Sequence, residues 1–197
     1  MKTKLFVLAN AVFGIVLLTI YLAHINFLDV NVVFYAAIAD GVLAAVVAFS
    51  LLWLPFGRGF NPFEKFQMLL IWLLLGYAFA ISVPTVIDRS LSFYILEKLE
   101  QRGGGIRQDA MKDVFTQEYL KEHRLVDVRL TEQIESGTIV IENGCVKLTE
   151  KGRRLSTMSR YYRLHFLPKH RLLMGEYTDD LTNPFRNSQQ AGSYACR

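Results

Sequence analysis

The sequence predicts a helical membrane anchor followed by a small α+β domain, and three observations carry that expectation. Residues 67–87 hold no charged side chain, and at about 1.5 Å per residue they can cross a hydrocarbon core of about 30 Å. The 197 residues are 52% hydrophobic with a mean hydropathy of +0.24. That excess lies before Ile87, whereas all Lys and Arg except Lys2, Lys4, Arg58 and Lys65 lie after it. Finally, Asn143-Gly144 sits between two apolar runs. This is the strongest short hairpin signal, because both residues tolerate the positive φ of a type I′ turn.

Three spans are expected within a transmembrane region of residues 1–87. The first, about 5–23, follows Lys2 and Lys4 and exceeds the roughly 7–15 apolar residues of a signal-peptide core, so it reads as a retained helix. A short polar loop, His24 to Asn31, precedes a second span at about 32–54 that ends at Pro55. Phe56 to Phe66 then combines Gly, Pro and aromatics, as turns at the headgroup level do. The third span is the uncharged stretch at 67–87.

Each span carries a polar residue: Asn10, Asp40 and Tyr77. A carboxylate within a span costs at least about 2.5 kcal/mol and turns toward a partner. Counting from the shared membrane face puts Asp40 and Tyr77 at similar depth, which predicts a carboxyl-to-phenol hydrogen bond. Such a group serves either as a site for a headgroup, a proton or a partner helix, or as a clasp between helices. Ala37, Gly41, Ala44, Ala45 and Ala48 let another helix, of this chain or a second one, approach the second span closely. Pro84 is expected to kink the third span, with Ser82 and Thr85 satisfying the freed carbonyl.

The soluble domain, predicted over 88–168, begins without a linker. Asp88 or Ser90 is expected to cap a helix through Gln101 while Arg89 reaches back to the headgroups. A sharper reading has Asp88, Arg89 and Ser90 hold a lipid phosphate or pyrophosphate at that helix start. Arg102-Gly-Gly-Gly105 lacks the Lys-Ser/Thr of a phosphate loop and reads as a connection. Helices follow at Arg107–Phe115 and Tyr119–Ser136, then the hairpin, then a helix from about Thr149 to Leu167 that Pro168 ends. Residues 169–197 are expected to be extended or disordered. Cys145 and Cys196 lack the spacing of a metal or redox site, and a disulfide between them is open but without support in the sequence.

Three helices, a two-stranded wing and a closing helix are the order of a winged helix-turn-helix. Ser136-Gly137 before the first strand and Leu148-Thr149-Glu150-Lys151-Gly152 after the second resemble the wing of MarR- and PadR-type regulators. The resemblance spans about 90–167 and implies DNA binding through the third helix. Charge opposes that implication: between Glu118 and Ser136, Lys121, Arg124 and Arg129 face Glu118, Glu122, Asp127, Glu132 and Glu135, a net −2. Phosphate contacts want cations. The positive charge lies instead on 147–171, where Arg153, Arg154, Arg160 and Arg163 are interleaved with Tyr161, Tyr162 and Phe166. That pattern suits anionic headgroups, at about 1 kcal/mol per cation, or an acidic partner.

Cations balance across the membrane at four a side: Lys2, Lys4, Arg58 and Lys65 against Arg89, Lys98, Arg102 and Arg107. The first helix favours an external soluble domain. The wing and the headgroup argument favour the cytoplasm, and the cytoplasmic side of the cell's inner membrane is the expectation adopted. No catalytic constellation, cofactor or metal site is read. The expected function is a non-catalytic accessory or adaptor subunit that docks a larger integral membrane protein or lipid headgroups, in a complex handling envelope polysaccharide or lipid-linked substrates. The alternative is a membrane-tethered winged-helix transcription regulator, with nucleic acid disfavoured by the charge.

Overall fold

The computed structural model describes residues 2–186 and Cys196. The chain is mostly helical and divides into two compact units, Met1–Val128 and Arg129–Arg197.

In the first unit, α1 (Lys2–Phe27), α2 (Val33–Leu51) and α3 (Pro62–Ala80, continuing to Arg89) are three helices long and apolar enough to cross a membrane. α1 runs further than expected and takes His24 out of the polar loop. α3 starts with a full capping box: the Asn61 side chain accepts from the Glu64 amide, and the Glu64 carboxylate accepts from the Asn61 amide. Pro62 at the first helical position needs no N–H there. The turn before it is a short 3₁₀ segment, Pro55–Gly59.

Around Pro84, α3 does not break. It widens into a π turn at Ile81–Thr85 and resumes at Val86–Arg89. The Thr85 hydroxyl is buried and has no hydrogen bond among the described residues, so the wide turn, and not the Thr85 side chain, accommodates the proline.

The small residues of α2 are spent inside the bundle. Ala37, Ala44, Ala45 and Ala48 are buried, and a Cβ built on Gly41 or Gly76 would lie 3.0 or 2.9 Å from the other's Cα. α2 and α3 thus touch backbone to backbone, as small residues allow in lipid. Trp72, one turn before Gly76, fills the bundle core, stacked on Phe13 at 5.5 Å and donating its indole N–H to Asn10 Oδ1 at 3.1 Å.

One residue, Ser90, separates α3 from α4 (Leu91–Gln101). A 3₁₀ turn at Gln108–Ala110 leads into α5, residues 111–122, which carries a π turn at Val114–Tyr119. Tyr94, Val114 and Tyr119 form a small core with Ile106, Phe115 and Leu125. The break before α6 (Leu125–Glu135) falls at His123-Arg124, where Arg124 has φ +44°. The expected break at 115–119 is therefore displaced, because Phe115 and Tyr119 stay on one helix to pack together at 6.5 Å.

The second unit is a hairpin and a helix. β1 (Ile139–Glu142) pairs antiparallel with β2 (Cys145–Leu148), Glu142 facing Cys145, across the Asn143-Gly144 turn, whose φ values are +52° and +75°. α7 (Glu150–Phe166) is capped by Thr149, whose Oγ1 accepts from the Gly152 amide and donates to the Gly137 carbonyl. Any side chain at Gly152 would collide with the Thr138 carbonyl. The Leu-Thr-x-x-Gly spacing thus seats α7 on the base of the hairpin.

Residues 171–178, expected to be extended or disordered, form a second hairpin of β3 (Arg171–Leu173) and β4 (Glu176–Thr178). Its Met174-Gly175 turn has φ +50° and +96°, a weaker sequence signal than Asn-Gly. The rest of the expected tail, from 187 on, lies outside the described residues except for Cys196. That cysteine forms a disulfide with Cys145, with Cα atoms 6.0 Å apart.

Candidate functional site

Four groups of polar side chains qualify, and the first lies within the spans. Asp40 is 4% exposed, and its Oδ1 lies 2.7 Å from His24 Nδ1. Its Oδ2 is buried with no hydrogen-bond partner among the described residues. The expected bond to Tyr77 does not form. The Gly41–Gly76 contact does put the two residues at one level, but Tyr77 is 52% exposed on the bundle's outer face, whereas Asp40 turns toward α1. An open groove of about 540 Å³ runs beside the pair, lined by Ile20, Ala23, Phe27 and Leu43 among others. Asn10, between the Phe6 carbonyl and the Trp72 indole, is a clasp between α1 and α3.

The second group is the junction. Ser90, and not Asp88, caps α4, accepting from the Phe93 amide at 3.3 Å. Asp88 is exposed. The Arg89 guanidinium lies 5.8 Å from the centre of the Phe34 ring at the start of α2. Ser90 thus takes the cap at the start of α4, and Arg89 lies against the start of α2.

The third group was not singled out from the sequence. Lys98 is 5% exposed and bridges Glu118 at 2.8 Å and Glu122 at 2.6 Å. Tyr94 donates to Glu122 at 2.9 Å, and Arg102 donates to both oxygens of Glu118 at 3.0 Å. His123 packs its ring on Tyr94 and Tyr119. Tyr94 and Lys98 fall four apart along α4 with Arg102 four further on at its C-cap, and Glu118 and Glu122 lie four apart along the chain, so each set faces one way. That double spacing was the available signal. Counting Glu118 and Glu122 only as acidic charge hid it.

The Lys98 ammonium holds both glutamates below the ordinary value of 4.5, and the two carboxylates hold Lys98 above 10.5. Burial, together with Glu122, pushes the Tyr94 phenol up. Depressed carboxylates bind fewer protons folded than unfolded. Their stabilisation is complete above about pH 4.5 and is lost as pH falls through the folded values. The raised lysine keeps its contribution through neutrality and loses it only as pH climbs past 10.5.

Lys98→Met is expected to lower the thermal midpoint at neutral pH by several degrees and to flatten the acid limb. Protonating Glu122 would then break no ion pair, and Glu118 would keep only its pair with Arg102. Circular dichroism melts of the full chain in detergent, run from about pH 3 to about pH 8, read both effects. An unchanged acid limb in the variant would show that the cluster contributes nothing.

The fourth group is α7. Its four arginines separate into two pairs. Arg153 and Arg154 lie against Glu150 at 3.9 and 3.2 Å. Arg160 and Arg163 line a groove of about 680 Å³ between α7 and the segment after β4. Lys147 pairs with Glu142, and Lys151 donates to the Ser136 carbonyl. α6 itself carries Arg129 against Asp127, Glu132 and Glu135, so it stays at a net −2 with its observed bounds.

Among the described residues, no three His, Cys, Asp or Glu side chains come together to hold a metal ion. Comparison with known proteins adds no assignment: no family model matches the chain, and no significant match was found to a curated protein or to a solved structure.

Proposed function

We propose that this chain is a non-catalytic accessory subunit of a membrane complex, anchored by α1–α3 and docking a partner protein through α7. The observation that carries the reading is the open apolar stripe of that helix. Leu155, Met158, Tyr162 and Phe166 recur at helical spacing and are 42%, 61%, 55% and 63% exposed. Apolar surface left in water forgoes about 25 cal/mol per Å², and contiguous patches of this kind mark interaction surfaces. Arginines beside the stripe favour an acidic rim on the partner.

The side of the membrane is also a proposal, and it reverses the cytoplasmic expectation. A disulfide between Cys145 and Cys196 supports an oxidising compartment. The basic N-terminus, with Lys2 and Lys4, supports a cytoplasmic start, from which three crossings lead outside. An inner membrane with the second unit in the periplasm is the arrangement that satisfies both.

The element order and the Thr149–Gly152 seating of α7 support a winged-helix reading of residues 90–167, and with it the regulator alternative. The acidic α6 and the disulfide count against DNA as its ligand.

Purification in mild detergent tests the main reading. A stoichiometric partner should accompany the wild-type chain and be lost from a Tyr162→Glu, Phe166→Glu variant that keeps its helical circular dichroism. A chain that always emerges alone, with or without those changes, would end the proposal.

A further inference from the structure

The groove beside α7 has a composition that the docking stripe does not explain. Ser156, Ser159, Arg160 and Arg163 line one wall, Asn183 and Phe185 the other. Positions 156, 159, 160 and 163 recur at three- and four-residue steps, so their side chains share one helix face. Arg186 also borders the groove, but its guanidinium is occupied by Asp179 at 2.8 Å and by Asp180. Arg160 and Arg163 have no carboxylate at ion-pair distance among the described residues. Arg163 is half-buried, and its guanidinium lies 5.9 Å from the centre of the Phe185 ring, an arrangement that holds the fork in place.

We propose that this groove binds the phosphoryl group of a small ligand. Two uncommitted guanidinium forks match phosphate oxygens in geometry and charge. The Ser156 and Ser159 hydroxyls and the Asn183 amide supply further donors around them, and the exposed Phe185 ring offers a face for a flat or apolar portion of the ligand. At about 680 Å³ the groove is the size of a small-molecule site, too small for a protein helix. The inference deepens the reading of α7 as a recognition element, but it concerns a different face of the helix from the apolar stripe. The phosphoryl group could belong to a soluble ester or to a lipid headgroup, and the experiment separates these sources.

Full-length protein in neutral detergent is titrated calorimetrically with inorganic pyrophosphate and, separately, with dihexanoyl phosphatidic acid. Wild-type protein is expected to bind at least one probe. Arg160→Gln, Arg163→Gln should weaken binding about tenfold or more, since a single lost charge-assisted contact is already worth about tenfold. Arg153→Gln, Arg154→Gln should change it by less than about twofold, because those arginines pair at the exposed surface with Glu150. Arg160→Lys, Arg163→Lys keeps the charge but not the fork, and should bind with intermediate affinity.

Binding of pyrophosphate assigns a soluble source, and binding of phosphatidic acid alone assigns a headgroup. No binding of either probe overturns the inference, as does equal weakening by the two glutamine pairs. Copurification of the partner with the Arg160→Gln, Arg163→Gln variant is scored in parallel. A groove that binds neither probe while the partner is retained defeats this inference and leaves the docking reading standing.

Discussion

Replacing Cys145 and Cys196 with serine is expected to destabilise the second unit by about 4 kcal/mol, the chain-entropy value for a cross-link between cysteines 51 residues apart. The bond ties the start of β2 to the chain's end, so the unfolded state loses freedom that the folded state has already given up. The effect should appear as a lower thermal midpoint for the double serine variant and for reduced wild-type protein, equal in the two. The same bond reports the compartment. In intact cells both thiols should resist a maleimide until a reductant is added. Two freely alkylated cysteines in unreduced cells would remove the main support for an external second unit.

The second large effect concerns Gly41 and Gly76. Gly76→Ala places a methyl group 2.9 Å from the Gly41 Cα, a backbone atom that moves only if the helix moves. The cost expected for such overpacking is about 1–3 kcal/mol, and Gly76→Leu should separate α2 from α3 altogether. Gly14 provides the control, since nothing lies within 4 Å of a Cβ built there. Gly14→Ala should be neutral or slightly stabilising, because alanine is the better helix former. Tryptophan fluorescence reads the outcome, as Trp72 is 1% exposed within the bundle core. Equal effects at Gly14 and Gly76 would sink the account.

Loss of that contact would also disturb Asp40, the next residue to Gly41. The carboxyl reaches His24 from a position set by α2, and its second oxygen has no hydrogen-bond partner among the described residues. Unpaired buried oxygens are costly in lipid. The α2–α3 contact and the intramembrane pair therefore rest on the same piece of backbone.

What the sequence by itself determined is most of the elements, the 171–178 hairpin excepted. Long, mostly apolar runs marked three spans, Ser90 marked a helix start, Asn143-Gly144 marked a hairpin, and Leu148 to Gly152 marked the helix that follows it. These are local signals, because helix period, caps and turn dihedrals depend on residues a few positions apart. Tertiary structure decided the pairings. It gave Asp40 to His24 and not to Tyr77, spent the small residues of α2 on α3, enclosed Lys98 between Glu118 and Glu122, joined Cys145 to Cys196, and divided the arginines of α7 into a pair held by Glu150 and a pair lining a groove. Each of these depends on side chains brought together from sequence separations of 16 to 51 residues, or on which way a helix is turned about its axis. Composition and spacing do not encode that rotation, and only the packed backbone supplies it.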